Sequence, residues 1–251
     1  MRASGIFTVF ALMGLGVVAF AGARRADAAA AAGTAASRPA KGPIHVAFVL
    51  TQGANVMDFA GPWEVFQDVW VPELGGSMDD QMPFRLFTVS DSNSPVEMTG
   101  GLRVAPAYTF ANAPGPDVVV VGAQAGSPAM LDWLKKASAH ATVMSVCTGA
   151  FKLAKAGLLD GHPATTHHDF LDQLEKGFPK VQVQHGRRWV KSSDRVYTAG
   201  GLTSGIDLAL HIVAEYYGDD VAARTSFYLE HVGDGWKDAS STPVAATRVG
   251  K

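Results

Sequence analysis

Residues 143–159 read VMSVCTGAFKLAKAGLL. An apolar run over residues 142–146 predicts a buried β-strand, and the spacing of apolar residues over 149–156 predicts a helix. The chain's single cysteine, Cys147, falls on the turn between them. A strand that leads directly into a helix is typical of a βα unit, so we expect a sheet of mostly parallel strands.

The rest of the chain repeats this alternation of apolar runs and helical spacing. Continuous apolar runs without polar alternation indicate strands buried on both faces, as in a parallel sheet covered by helices on either side. The main predicted strands are residues 44–50, 84–89, 117–121, 142–146 and 195–198, with a hairpin or arm over 97–110 and short strands near 164–166, 181–184 and 189–190. The predicted helices begin at Asp58 and after a Ser127 cap and cover residues 149–156, 168–176 and 203–217.

The two ends of the chain differ in composition from its body. Arg2, an uncharged apolar run over 6–20 and the small residues around Ala28 are typical of a signal peptide, so we expect export, with an uncleaved membrane anchor as the alternative. We therefore predict a signal peptide or N-terminal anchor over 1–28 and a flexible Ala/Gly/Ser/Pro-rich linker over 29–43. The catalytic domain should cover 44–218, followed by a partly disordered extension over 219–251.

Composition excludes several classes of function. The 251 residues are 47% hydrophobic with a formal net charge of −2, and no basic run occurs in the body, which argues against nucleic acid as the main partner. One cysteine excludes an intrachain disulfide framework and a multi-cysteine zinc or iron–sulfur site.

Cys147 has two readings, a buried structural thiol or a nucleophile. Free cysteines are usually buried small hydrophobes. A side chain on a turn between a strand and a helix, however, projects above the sheet, and Gly149 leaves room for the backbone there. The dipole of the following helix would stabilise a thiolate, so we predict a lowered thiol pKa and a nucleophilic role on a strand-to-helix nucleophile elbow.

Other candidate residues follow the carboxyl ends of neighbouring strands, where sites form in α/β sheets. Asp58 comes just after the first strand's loop, and it has two compatible readings, a helix N-cap and a carboxylate facing Cys147. The loop over 122–126 follows the third buried strand. It is either an ordinary turn or a source of backbone amides for an oxyanion-type site, formed by Gly122, Ala123 and Gln124.

The histidines do not predict a metal site. His167 and His168 adjoin at a strand-to-helix turn, no HExxH pattern occurs, and adjacent histidines on a strand point apart, so we predict no metal. A hydrogen bond between Cys147 and His168 stays an open alternative, and we expect both histidines to form part of the pocket wall. The glycine-rich stretch over 200–205 lacks the spacing of a nucleotide-binding loop.

With these residues identified, the chain resembles the ThiJ/PfpI superfamily, which has the class I glutamine amidotransferase-like fold. Four stretches carry the resemblance: VMDFAGPWEVF (56–66), DVVVVGAQAG (117–126), SVCTGAFKLAKAGLLDGHPATTHH (145–168) and VYTAGGLTSGIDLALHIV (196–213). Together they resemble the branch that contains isonitrile hydratase and the sensor domains of AraC-type regulators. The resemblance implies a flavodoxin-like three-layer sandwich and a homodimer.

The same resemblance implies a reaction, the hydration of a small-molecule isonitrile to an N-substituted formamide without a cofactor. Cys147 would be the nucleophile, Asp58 the general acid and base, and Thr148 an orienting group. Two departures affect the pocket: Val121-Gly122-Ala123 stands where Pro-Gly-Gly is common, and His168 stands where an aromatic residue is common.

Other functions stay open at this stage. The alternatives are a glyoxalase, deglycase or peptidase-like hydrolase of the same superfamily, and a non-catalytic ligand or redox sensor. The 33 residues after Gly218 are too few for the DNA-binding module of the related regulators, and an export signal argues against contact with DNA.

Overall fold

The computed structural model describes residues 42–238, and the predictions for 1–28, for most of the linker and for 239–251 lie outside the described residues. The strands are, in chain order, β1 (Ile44–Val49), β2 (Phe84–Ser90), β3 (Val96–Glu97), β4 (Arg103–Val104), β5 (Tyr108–Thr109), β6 (Val118–Val121), β7 (Thr142–Ser145), β8 (Pro163–Ala164), β9 (Gln182–Val183), β10 (Trp189–Lys191) and β11 (Val196–Ala199). The α-helices are α1 (Val56–Gln67), α2 (Met78–Gln81), α3 (Pro128–Ala137), α4 (Ala150–Lys155), α5 (Leu171–Gly177), α6 (Ser204–Tyr217) and α7 (Asp219–Tyr228). Short 3₁₀ turns lie at Pro72–Leu74, Thr99–Gly101, Cys147–Gly149 and His168–Phe170.

Seven strands form one sheet in the order β10-β11-β7-β6-β1-β2-β5. Every neighbouring pair is parallel except the edge pair β10–β11, which is antiparallel. The pairs β3–β4 and β8–β9 form two small separate ribbons. The predicted mostly parallel sheet is therefore confirmed.

Two apolar layers cover the sheet because successive strand residues point to opposite faces. In β6, Val118 and Val120 pack with residues of α1, α6 and α7, whereas Val119 and Val121 pack with residues of α3, α4 and α5. Both faces are buried, which explains why the strands read as continuous apolar runs. The result is the predicted flavodoxin-like sandwich of three layers.

Residues beyond 218 continue the folded domain. Helix α7 packs against α6, and Trp236 is buried in the same core cluster as the inner face of α6. Two hydrogen bonds hold this segment, from Trp189 Nε1 to the carbonyl of Gly235 and between His211 Nδ1 and the carbonyl of Trp236. The sequence-based prediction contained no helix here.

The described residues contain no helix long and apolar enough to cross a membrane.

Candidate active site

Cys147 lies at the carboxyl edge of the sheet, directly after β7 and Val146. Its backbone φ is 57°, in the left-handed region that residues with a side chain rarely adopt. The residue opens a single 3₁₀ turn, Cys147–Gly149, that leads into α4. This is the predicted turn between a strand and a helix, and the positive φ shows that the surrounding contacts impose an otherwise unfavourable conformation on Cys147.

Gly149 allows this turn to approach the neighbouring strand. A Cβ atom at this position would lie 2.1 Å from the carbonyl oxygen of Val121, at the end of β6. That distance is far inside van der Waals contact, and the obstacle is backbone, which cannot move aside. Only glycine therefore fits here.

Both backbone polar groups of Cys147 are held by other loops. Its N–H donates to the carbonyl of Gly200 at 2.7 Å, and its carbonyl accepts a hydrogen bond from the Thr166 hydroxyl, also at 2.7 Å. Gly200 follows β11, and Thr166 follows β8. The sheet order places β11 directly beside β7, which brings the first of these loops to the cysteine.

Asp58 lies in the first turn of α1 and is buried, with 1% of its surface exposed. Asn55 caps this helix instead, because its side chain accepts hydrogen bonds from the N–H groups of Met57 and Asp58. The N-cap reading of Asp58 is therefore wrong, and its carboxylate is available for other contacts. The Oδ2 atom accepts a hydrogen bond of 2.9 Å from the N–H of Ala123.

The second oxygen of Asp58, Oδ1, is buried and makes no hydrogen bond of normal geometry with the described residues. Burial raises the pKa of this carboxyl, and the N–H groups of Ala123 and Leu202 act in the opposite direction. Removal from water disfavours the charged form, so Asp58 retains a proton more readily than a surface aspartate.

The pKa of the Cys147 thiol is raised from an ordinary value of 9.0 to about 11. Burial is the largest cause and the negative charge of Asp58 the second, while the N–H and hydroxyl of Thr148 partly offset them. The sequence-based prediction of a lowered pKa is wrong. It considered only the dipole of the following helix, whereas α4 has six residues and the thiol is both desolvated and close to a carboxylate.

The loop over 122–126 packs against Asp58. Gly122 lies so close that a Cβ atom there would be 2.6 Å from the Cβ of Asp58, and the Ala123 amide is the donor to Asp58 described above. The side chain of Gln124 binds β1 and its following loop, since its Oε1 accepts from the N–H of Thr51 and its Nε2 donates to the carbonyl of Val49. The predicted contact of these three residues with substrate stays a prediction.

His168 lies at the start of the 3₁₀ turn after β8. Its ring stacks on that of His167 with centroids 4.2 Å apart, and its Nε2 lies 3.4 Å from a carboxylate oxygen of Asp169. The premise that the two histidines point apart is wrong, because they stand on a turn and not on a strand. The candidate ligand atoms of His167, His168 and Asp169 lie within 4.8 Å of one another. The orientation of the two histidines therefore no longer argues against a metal site.

The loop after β11 was missed by sequence reasoning as part of the site. It supplies the Gly200 carbonyl that binds Cys147 and the Leu202 N–H that stabilises the Asp58 carboxylate. Leu202 has a φ of 52° and is partly exposed, and a Cβ atom on Gly201 would overlap the His167 ring. The pair Gly200-Gly201 directly after a predicted strand is the signal in the sequence that marks this loop.

Comparison with known proteins gives the following similarities. The DJ-1/PfpI family model matches residues 44–215. Isonitrile hydratase of Pseudomonas putida is 31% identical over 213 residues, which cover 82% of this chain and 86% of the hydratase. The HTH-type transcriptional regulator CdhR of Pseudomonas aeruginosa is 30% identical over 185 residues, which cover 71% of this chain but about half, 52%, of the regulator.

A solved structure supports the same relationship. The ThiJ/PfpI family protein from Pseudomonas syringae superposes with a TM-score of 0.63 at 28% sequence identity and covers 77% of each chain.

Proposed function

Because the chain belongs to the DJ-1/PfpI family, we propose that it is a cysteine-dependent enzyme that adds water to an isonitrile and needs no cofactor. The product would be an N-substituted formamide. The 31% identity with isonitrile hydratase over most of both chains supports this substrate class. The aspartate and the cysteine that the reaction needs are both present, at Asp58 and Cys147.

The observation that carries the proposal is the pairing of a buried thiol with a buried carboxyl group. The charge of Asp58 acts on the pKa of Cys147, so the two groups lie within electrostatic reach of each other. Oδ2 of Asp58 accepts a hydrogen bond from the Ala123 N–H, and Oδ1 accepts none of normal geometry from the described residues, although the Leu202 N–H also stabilises the carboxylate. One oxygen therefore orients the carboxyl group, and the other is free to exchange a proton.

In the first half of the proposed reaction, the thiol proton passes to Asp58 as Sγ of Cys147 attacks the terminal carbon of the isonitrile, R–N≡C. Asp58 then delivers that proton to the same carbon. The carbon thereby gains an S–C bond and a C–H bond, and the intermediate is the thioimidate R–N=CH–S–Cys147. The raised pKa of the thiol is compatible with this order, because the proton leaves only when the new bond forms.

In the second half, Asp58 accepts a proton from water as the water oxygen attacks the thioimidate carbon, and it passes that proton to the nitrogen. The resulting R–NH–CH(OH)–S–Cys147 then expels the cysteine sulfur, which takes up the hydroxyl proton as the C=O bond forms, and R–NH–CHO is released. Thr148 directs its N–H and hydroxyl toward the sulfur and would stabilise the departing thiolate. Gly122, Ala123, Gln124 and His168 are proposed to line the substrate pocket.

The test is conversion of cyclohexyl isonitrile to N-cyclohexylformamide by the purified protein. We expect turnover by the wild type and none by Cys147→Ala or Cys147→Ser. Equal, background rates for wild type and Cys147→Ala over a panel of aliphatic and aromatic isonitriles would overturn the proposal. A parallel assay with a 2-oxoaldehyde tests the glyoxalase and deglycase alternative.

A ligand-sensing function is the second candidate. It is favoured by the regulators among the relatives, of which this chain matches about half the length, and by a resting thiol that is almost fully protonated at neutral pH. A sensor would bind an isonitrile or a related small molecule without turnover. Calorimetric binding to wild type and Cys147→Ala with equal affinity, together with no product, would favour this candidate.

We also propose that the protein is exported and forms a homodimer, as the sequence and the family resemblance imply. For export, the mature protein in the extracytoplasmic fraction should begin close to residue 29 by intact mass. Full-length protein confined to the cytoplasm would contradict export.

For the homodimer, light scattering on purified protein should give twice the chain mass.

A further inference from the structure

We propose that Thr166 is a positioning residue that holds Cys147 in its left-handed conformation through a hydrogen bond to the cysteine's carbonyl. The reaction itself rests on the proposed function above, but the effect of Thr166 on the thiol does not. Thr166 lies in the stretch 145–168 that is similar to the family, but no role for it was predicted from the sequence.

The geometry of the hydrogen bond carries the argument. The Thr166 hydroxyl donates to the Cys147 carbonyl at 2.7 Å, and Thr166 is 2% exposed, so water does not compete for this contact. Cys147 has a φ of 57°, which is unfavourable for a residue with a Cβ atom. A residue in such a conformation persists only when its surroundings determine it. The Gly200 carbonyl holds the N–H of Cys147, and the Thr166 hydroxyl and the Ala150 N–H hold its carbonyl.

Thr166 is itself held firmly. The preceding residue, Thr165, donates its N–H to the hydroxyl of Thr198 in β11 at 2.8 Å, and β8 pairs with β9 just before it. The hydroxyl of Thr166 is therefore fixed relative to the sheet. This hydroxyl links the loop after β8 to the carbonyl of Cys147, and the Gly200 carbonyl links the loop after β11 to its N–H.

Thr166→Val is the informative variant because it removes the hydroxyl and nearly preserves the shape. The Cys147 carbonyl keeps a second donor, the N–H of Ala150, so the substitution does not leave this carbonyl unpaired. The variant should therefore fold. Freed from this bond, Cys147 should relax away from positive φ, and its sulfur should leave the buried position near Asp58.

Three measurements on the full chain test the proposal. In Thr166→Val, kcat for cyclohexyl isonitrile should fall about 100-fold, the size of effect expected from a displacement of about 1 Å, with KM nearly unchanged. The thiol pKa, measured by alkylation with iodoacetamide, should fall from about 11 toward 9.0, so that the thiol becomes more reactive while catalysis weakens. Thr166→Ser, which keeps the hydroxyl, should restore most of kcat and the high thiol pKa.

Thr225→Val is the matched control. Thr225 is also buried, its hydroxyl also donates to a backbone carbonyl, that of Val221, and it lies in α7 away from the cysteine. It should leave kcat and the thiol pKa unchanged. Wild-type values of both quantities in Thr166→Val, or equal losses in Thr166→Val and Thr225→Val, would overturn the positioning role. If the wild type hydrates no isonitrile, the proposed function fails, and the thiol pKa alone still decides the role of Thr166.

Discussion

Replacing Asp58 by asparagine should lower the pKa of the Cys147 thiol while abolishing hydration. Asparagine keeps an oxygen that can accept from the Ala123 N–H, so the local fold should persist. The charge is removed, and with it the second largest cause of the raised thiol pKa; burial, the largest cause, remains. Catalysis should fall because an amide cannot carry the proton between sulfur, carbon and water.

The magnitude follows from the thiol's total shift. A rise from 9.0 to about 11 corresponds to roughly 2.7 kcal/mol in favour of the protonated form. Burial contributes more than the Asp58 charge, so we expect removal of the charge to return only part of this energy, on the order of 1.4 kcal/mol. At any pH below both pKa values, the thiolate fraction of Asp58→Asn should therefore be about tenfold higher than in the wild type. Its alkylation rate should rise by less than that factor, because a thiolate of lower pKa is less nucleophilic.

The assay is clean because Cys147 is the only cysteine. Its pKa can be obtained from the thiolate absorbance and from the pH dependence of iodoacetamide alkylation, with Cys147→Ser as the baseline. Asp68→Asn is the matched control, since Asp68 is the C-cap of the same helix, about 15 Å away at 1.5 Å per residue. An unchanged or raised thiol pKa in Asp58→Asn, or an equal shift in Asp68→Asn, would refute the reasoning.

Two further predictions concern stability. Gly149→Ala should lower the free energy of unfolding, measured in urea, by about 3 kcal/mol or more, because its Cβ would lie 2.1 Å from the Val121 carbonyl oxygen. Gly177→Ala is the control, since a Cβ at that position has no atom within 4 Å. Equally small effects in the two variants would contradict the close packing at Gly149. Burial would raise the pKa of Glu215, but hydrogen bonds from His211, Tyr197 and Lys191 outweigh it and lower the pKa from 4.5 to about 2. Ionised Glu215 therefore stabilises the folded state by up to about 3 kcal/mol above pH 4.5, and this stabilisation is lost as the pH falls toward 2. In Glu215→Gln, the free energy of unfolding should depend less steeply on pH over this range. An unchanged dependence would contradict the lowered pKa of Glu215.

The main elements and the turn that carries Cys147 could be predicted from the sequence because their causes are local. An apolar run such as β6 must be buried on both faces, and Ser127 caps α3 through its own side chain, which accepts from the N–H of Met130. The strand, cysteine, glycine and helix around Cys147 form one continuous stretch. The outer part of the domain was less visible, because α7 and the buried Trp236 have no strong local signal and are fixed by contacts with α6 and β10.

The chemistry of the site depended on tertiary structure. The order of strands in the main sheet brings Asp58, Gly200 and Leu202 to the region of Cys147, and the separate β8–β9 ribbon brings Thr166 there. The thiol pKa was predicted in the wrong direction because the helix dipole is a local feature, whereas burial and the charge of Asp58 arise only on folding. The turn that carries Cys147 was visible in the sequence because it is one local stretch, whereas the protonation state of the thiol and the contacts around it arise from residues that only the folded chain brings together.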